Sequence, residues 1–416
     1  MSQKFSGKRA YRFLKKIGFI RFAGSSGELE ASKIIAESFR KMGYSVDIEE
    51  FKIWSYRIIE AGLEVLEPNY RKIPCRGVGL TGSTSKDGVV DELVYVEDGG
   101  KRFLVKDKIW LYYGGLDAEK YREIVKYKPK ALIRVEENPS RNPAFTDMPV
   151  EWWKYGKIPM IRVKYSDAYR LMRLRKAKIR VKLIQNEFET LSRNIVAEKV
   201  GIKYPDEVII IGAHYDSEYG TIGATDNAGG IAVMMELARI FSLKQNMRTI
   251  RFIAFGAEEL GLRGSRNYVK IHERELEKVK LMVNIDVQGS GIGRISAIIS
   301  GGDDIKNYIE ILGKELGISI RVSQGIASSD STSFAWKNVP SISFSRSGGP
   351  TFFMHTEKDD FRHVDPFGLE LSGMLIESFL NRIVNAVEYP FKREIPENVK
   401  KNIKEYFEKR MGIEMK

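Results

Sequence analysis

In the second half of this 416-residue sequence, a set of polar residues stands where apolar runs end or turns begin. His214 and Asp216 follow EVIIIGA, Glu258 and Glu259 follow RFIAFGA, and Asp286 follows LMVNI. Asp226 lies in TIGATDNAGG and His355 in SGGPTFFMHTEKDD. Imidazole nitrogens and carboxylate oxygens are donors that borderline divalent cations accept, and a shared carboxylate can hold two cations about 3.5–4 Å apart. Such a pair acidifies water, polarises a carbonyl and stabilises a tetrahedral intermediate. Proton removal from that water needs a carboxylate that is not itself a ligand, and an adjacent pair such as Glu258–Glu259 can divide the two tasks. Uncompensated burial of either charge would be costly, and a metal cluster is one arrangement that resolves the cost. An ordinary surface pair at a strand end is the competing explanation for His214 and Asp216 alone. Only 4 histidines occur in the chain, and one of them directly follows an apolar strand, which weighs against it.

The elements that would position these residues follow from periodicity. From 192 onward NIVAEKV, EVIIIGAH, TIRFIAFGAEE, LMVNIDVQG and SISFSRSG read as near-continuous apolar strands. They alternate with helical stretches such as AGGIAVMMELARIF and DDIKNYIEILGKELG, the pattern of a largely parallel sheet covered on both faces. Ligands bind such sheets beyond the C-terminal strand ends, where the polar residues sit. Asp226 precedes small residues through Gly230 that let a backbone come close to a ligand. Near the N-terminus Phe5, Tyr11, Leu14 and Ile17 mark one amphipathic helix; Leu29, Ile34, Ile35, Phe39 and Met42 mark another, stopped by Gly43 and followed by a strand to Ile53. A long helix is expected over 365–388 and a charged one over 397–410. Between 68 and 188 the texture changes to short β-rich stretches with one helix near 117–127, an inserted domain with Trp152–Trp153 at its junction or in its core. The expected division is 1–67 and 189–390 as the main α/β domain, 68–188 as the insertion, and 391–416 as a charged helical extension.

Composition narrows the classes. With 43% hydrophobic residues the chain fills a substantial core. The single cysteine, Cys75, can form neither an intramolecular disulfide nor a thiolate cluster, so a metal site must use carboxylates and imidazoles. The net charge of +13 is spread along the sequence, and specific nucleic-acid binding is not expected. No stretch is apolar enough to span a membrane and no leader pattern opens the sequence, so a cytoplasmic location is expected. The serines of ASSDSTS lack a nucleophile elbow, and no complete glycine-rich nucleotide motif occurs. His272 and His363 read as surface or capping residues.

In order along the chain, GAHYDS, TDNAGG, FGAEELGLRGS, NIDVQG and FFMHTEKDD resemble the M28 family of zinc aminopeptidases and related co-catalytic metallopeptidases. The resemblance implies a zinc-peptidase α/β/α sandwich with a mixed, largely parallel sheet. It also implies two divalent metal ions, zinc by expectation, with cobalt or manganese tolerated by the same donors. By motif, His214 and Asp286 become ligands of one ion, Glu259 and His355 ligands of the other, and Asp226 the bridge. Glu258 becomes the general base and Asp216 the carboxylate that orients His214. A non-proline cis peptide at Asp226–Asn227 is implied as well. The insertion resembles a protease-associated domain by position, size and β-rich character, and would flank the cleft.

Two departures stand out. Where some secreted relatives place an oxyanion-binding tyrosine, QGIASSDSTSF has Ile326; where they continue Ser-Asp-His, this chain reads Ser329-Asp330-Ser331. Oxyanion stabilisation would then fall to the metals, to Arg346 of SRSGGP or to a partner subunit, and Arg346 is also a candidate for binding a substrate carboxylate or carbonyl. The expected reaction is removal of N-terminal residues from peptides. A carboxypeptidase or a small-molecule amidohydrolase could use the same dinuclear site. A noncatalytic binding protein is the alternative outside enzymes, and retention of the whole ligand set together with Glu258 weighs against it. Peptides are the expected partners, and homo-oligomerisation is left open.

Overall fold

The computed structural model describes residues 4–98, 105–174 and 176–414. The chain opens with α1 (Gly7–Ile17), α2 (Ser26–Lys41) and β1 (Ser45–Glu67). There follow β2 (Arg71–Ile73), β3 (Cys75–Gly77), β4 (Val89–Glu97), β5 (Ile109–Tyr113), α3 (Ala118–Val125), β6 (Ala131–Val135), β7 (Met160–Val163), α4 (Tyr165–Met172) and β8 (Lys178–Lys199). The third stretch holds β9 (Tyr204–His214), α5 (Gly229–Ser242), β10 (Arg248–Phe255), α6 (Arg263–Ile271), β11 (Val279–Ile285), β12 (Arg294–Ser300), α7 (Asp303–Leu316), β13 (Ile320–Gln324), α8 (Ser331–Trp336), β14 (Ser341–Ser347), α9 (Pro366–Val384) and α10 (Glu397–Glu405). Two compact units result: Met1–Ile53 with Leu191–Ile403, and Trp54–Thr190 with Lys404–Lys416.

In the first unit the strands run in the order β13-β12-β14-β11-β9-β10-β8. The pairs β12–β13, β14–β11, β11–β9 and β9–β10 are parallel, while β12–β14 and β10–β8 are antiparallel. The sheet is mixed and largely parallel. Its strands are apolar on both faces because both faces are covered. Ile209, Ile211 and Ala213 of β9 pack with residues of α1, α2, α5 and α9, whereas Val208 and Ile210 pack with Tyr268 and Val269 of α6 and Phe334 of α8. Alternation along one strand thus feeds two cores, giving an α/β/α sandwich.

Within the second unit the strand order is β8-β4-β5-β6-β7-β3, antiparallel at β8–β4 and β7–β3 and parallel between. Ile109 and Leu111 face a core shared with Ala168 and Leu171 of α4, and Trp110 and Tyr112 face one shared with Tyr121 and Ile124 of α3. This unit is therefore layered α/β around parallel strands, where the sequence texture suggested only β-richness. Trp152 is buried here, stacked on Tyr121 with ring centroids 5.3 Å apart. Trp153 is half-buried and its Nε1 donates to the Leu80 carbonyl at 2.8 Å. The unit begins at 54 and not at 68 because β1 runs uninterrupted through that boundary, so no turn residue marks it. Residues beyond 403 join it too: the Lys154 ammonium donates to the Gly412 carbonyl at 2.8 Å. Among the described residues, no helix is long and apolar enough to cross a membrane.

Candidate metal centre

Strands β9, β10 and β11 lie side by side, and their C-terminal ends deliver His214, the Glu258–Glu259 turn and Asp286 to one place. His214 Nε2 lies 3.2 Å from Asp226 Oδ1, 3.3 Å from Asp286 Oδ1 and 4.0 Å from Glu258 Oε2. His355 Nε2 lies 3.2 Å from Asp226 Oδ2 and 3.2 Å from Glu259 Oε2. Asp226 therefore turns one carboxylate oxygen toward each imidazole, the disposition of a carboxylate set between two cation positions.

The backbone around these side chains is tightly constrained. The Asp226–Asn227 peptide is cis. Asn227 Nδ2 donates to the Ile285 carbonyl at 3.0 Å, and its Oδ1 accepts from the Gly230 amide at 2.9 Å. A Cβ on Gly230 would stand 2.4 Å from that same Ile285 carbonyl oxygen. Glycine at this position lets the start of α5 meet the end of β11, whereas the sequence had suggested approach to a ligand. Ala257, Val287 and His355 adopt φ of 53°, 51° and 59°. That left-handed conformation is strained for residues bearing a Cβ, most of all for a β-branched valine, and persists only where the surroundings impose it. Asp216 supplies part of that constraint: its Oδ1 and Oδ2 accept from the Glu258 and Glu259 amides at 3.1 and 3.2 Å. Asp216 Oδ1 also stands 3.5 Å from His214 Nδ1, close enough for charge attraction and long for a hydrogen bond.

Electrostatics test whether cations fit. Burial raises Glu258 well above the ordinary carboxylate range; His214 partly offsets this while Asp330, Glu259 and Asp286 push the same way as burial. Glu259 is pushed up to about 8 by burial, against the pull of His355. Asp226 is the exception: burial would raise it, but His214 and His355 hold it below the usual range. Both imidazoles are raised despite burial, by Glu258 at His214 and by Glu259 at His355. Glu259 Oε1 and Asp286 Oδ1 are buried without a hydrogen-bond partner. Carboxylates that raise one another and keep orphaned oxygens are costly for protein alone. Two divalent cations fit that donor set and its charge.

Several residues at the site were not singled out by sequence. Glu218 is buried, with Oε2 3.8 Å from His355 Nδ1. Asp359 accepts from the Thr225 amide at 2.8 Å, the Thr225 hydroxyl at 2.7 Å and the Asp226 amide at 3.1 Å, fixing the backbone of Asp226. Ser329 Oγ donates to Asp286 Oδ2 at 2.7 Å. Asp330 is fully buried and pushed up to about 7 by burial. The fully buried Arg21 donates to the carbonyls of Tyr215 at 2.6 Å, Ile222 at 2.8 Å and Gly223 at 3.3 Å, clamping the loop after β9. Asp359 and Asp330 lay inside segments already quoted and Glu218 directly follows GAHYDS, so proximity to the ligands was their signal. Arg21 had none. Arg346 is buried, and its guanidinium donates to the carbonyls of Ser290 at 2.8 Å and Gly291 at 3.1 Å, tying that loop to β14. His272 meets Glu49 at 2.7 Å, and the His363 ring stacks on Phe353.

Residues 194–380 match the pattern of Peptidase family M28. Aminopeptidase YwaD of Bacillus subtilis is 29% identical over 421 residues, covering 96% of this chain and 88% of its own length. Carboxypeptidase Q of Xenopus laevis is 26% identical over 311 residues, covering 69% of this chain and 66% of its own length. Among solved structures, a zinc aminopeptidase from Bacillus subtilis superposes with a TM-score of 0.76 at 26% identity, covering 96% of this chain and all of the other. A peptidase M28 precursor from Shewanella amazonensis superposes with a TM-score of 0.80 at 22% identity, covering 94% of this chain and 96% of the other.

Proposed function

We propose that the chain, which is similar to peptidase family M28 over residues 194–380 and to a zinc aminopeptidase over most of its length, is a two-metal exopeptidase removing N-terminal residues from peptides. The observation that carries the reading is the placing of Asp226 between the Nε2 atoms of His214 and His355, 3.2 Å from each. His214 and Asp286 would hold one ion, Glu259 and His355 the other, with Asp226 between them. Zinc is the ion the Bacillus subtilis aminopeptidase is named for, and cobalt or manganese suits the same donors.

When bound, two divalent cations supply Lewis acidity, lowering the pKa of water and neutralising charge that develops on the scissile carbonyl oxygen. The protein's own residues do the rest. Glu258, next to the ligands but turned 4.0 Å from His214 Nε2, takes the proton from the attacking water and returns it to the departing amine. Asp216 holds the two glutamates apart in role: each of its oxygens fixes one backbone amide of the pair, so their side chains leave the turn in set directions. The second unit is proposed to be a protease-associated-like insertion.

The similarity to carboxypeptidase Q supports a second reading, attack at the C-terminal end through the same centre. The test is a product map by mass spectrometry on N-blocked, C-blocked and unblocked peptides, before and after chelation and metal restoration. Metal-dependent stepwise loss from free N-termini is expected. Loss confined to peptides with free C-termini reverses the direction, and no cleavage by protein holding two ions moves the substrate to small acylated compounds.

A further inference from the structure

Each imidazole of the centre has two ring nitrogens, and a ligating imidazole keeps its direction and tautomer only if the nitrogen away from the metal is held. For His214 the carboxylate facing that nitrogen is Asp216, whose Oδ1 lies 3.5 Å from Nδ1, within reach of charge attraction. His355 points Nε2 into the cluster in the same way. The acidic atom facing its Nδ1 is Glu218 Oε2, at 3.8 Å. Glu218 stands two residues after Asp216, on the same segment His-Tyr-Asp-Ser-Glu. We propose that Glu218 is the positioning residue of His355, so that one five-residue segment orients both imidazoles. The proposal rests on the two-metal reading and assigns no ligand role to Glu218.

The surroundings explain why His355 needs such a partner and why Glu218 can be it. His214 sits at the end of a central strand, 1% exposed, whereas the His355 side chain is 31% exposed on a loop at φ 59°. Glu218, in contrast, stands on a fixed base. Ser217 Oγ accepts from the Arg21 amide at 3.0 Å and donates to the Thr221 carbonyl at 2.9 Å, and the Ser217 amide donates to the Arg21 carbonyl at 3.2 Å. The Glu218 carbonyl accepts from the Thr221 amide at 3.3 Å. Its carboxylate Oε1 accepts from the Tyr219 amide at 2.7 Å, and its Oε2 faces the ring. Tyr219 in turn packs edge-on against Phe22, ring centroids 5.2 Å apart. A rigid acceptor beside a partly exposed ring lets the protein set the ring by charge.

The experiment titrates zinc into metal-stripped wild-type, Glu218→Gln and Glu218→Ala proteins against a competing chromophoric chelator. The tautomer of His355 is read by long-range proton–nitrogen NMR on the zinc-loaded proteins, and melting of the metal-free proteins reports folding. The expected result is two ions in wild type and, in both variants, a loss of about 10- to 100-fold in affinity for one ion only. The His355 nitrogen shifts change while those of His214 do not. Asp216→Asn should give the mirror pattern, with His214 altered. Two ions bound by wild type and variants with equal affinity, or His355 shifts unmoved, overturns the proposal. Complete loss of one ion with a changed coordination number in cobalt-substituted spectra makes Glu218 a ligand and also overturns it. Wild type that binds no second ion overturns the two-metal reading and this proposal with it.

Discussion

Replacing Glu258 with glutamine separates the two roles assigned to the adjacent glutamates. The substitution preserves side-chain size and leaves the Glu258 amide free to donate to Asp216 Oδ1 at 3.1 Å, so the turn that carries Glu259 should survive. Glu259 itself, 3.2 Å from His355 Nε2, is untouched. What disappears is the only proton acceptor among the pair not assigned to a metal. A positioned general base contributes typically 100- to 10,000-fold, so kcat should fall by about that factor, equivalent to about 3–5 kcal/mol of barrier. KM should change little, because no ground-state contact is removed. A second consequence has a definite sign. Burial raises Glu258 in the folded chain, so above the ordinary glutamate value of 4.5 the metal-free native state binds a proton that the unfolded state has released. Stability then falls as pH rises, and Glu258→Gln should flatten that fall. The assay pairs steady-state kinetics on a chromogenic amino-acid anilide with metal content and with denaturant unfolding of the metal-free proteins at pH 5 and 8. A variant that retains two ions and more than a tenth of wild-type kcat refutes the assignment of Glu258 as base.

The remaining predictions concern groups around the centre. Glu28 is fully buried, pushed up from 4.5 to about 8 by burial, and accepts from Ser192 Oγ and from the Gly24 amide at 2.7 Å. Its folded value lies above its unfolded one, so the native form is favoured with the proton on, and stability should decline between pH 4.5 and 8 by up to about 5 kcal/mol; unfolding of Glu28→Gln over that range should show a smaller decline, and an identical pH slope refutes it. Arg346→Met should leave peptide KM within about threefold, because the guanidinium is bound to the Ser290 and Gly291 carbonyls, but should lower unfolding free energy by about 2–4 kcal/mol through two deprived acceptors. A selective rise in KM without loss of stability would instead restore Arg346 as a substrate contact. Asp359→Ala removes the acceptor of three donors at Thr225 and Asp226; metal titration should show weakened binding of both ions together, since Asp226 faces both imidazoles.

How much of this was legible in the sequence depends on what kind of signal each residue leaves. The strand ends carrying His214, Glu258–Glu259 and Asp286 announce themselves because an apolar run stops at a charge, a break in period that needs no tertiary knowledge. The sandwich follows from the same runs, since strands apolar on both faces must be covered on both. The boundary at 53 left no mark because β1 continues through it with an unbroken extended pattern. Likewise the second unit's parallel order was hidden, because short apolar stretches such as IWLYY do not reveal which neighbour they pair with.

The supporting residues were less legible for a deeper reason. Arg21 acts through carbonyl groups of residues about two hundred positions away, and a carbonyl acceptor is present at every residue, so no partner type in the sequence points back to it. Arg346 shows the opposite case. An arginine beside a glycine-rich turn near the ligands suggests an anion reader, and the structure gives its Nε and Nη2 to the Ser290 and Gly291 carbonyls of the loop after β11. Charge beside a catalytic motif therefore identifies a neighbourhood but not a role. The role depends on whether backbone acceptors compete for the same donors, and the two carbonyls held by Arg346 are what separates a loop anchor from a hand held out to substrate.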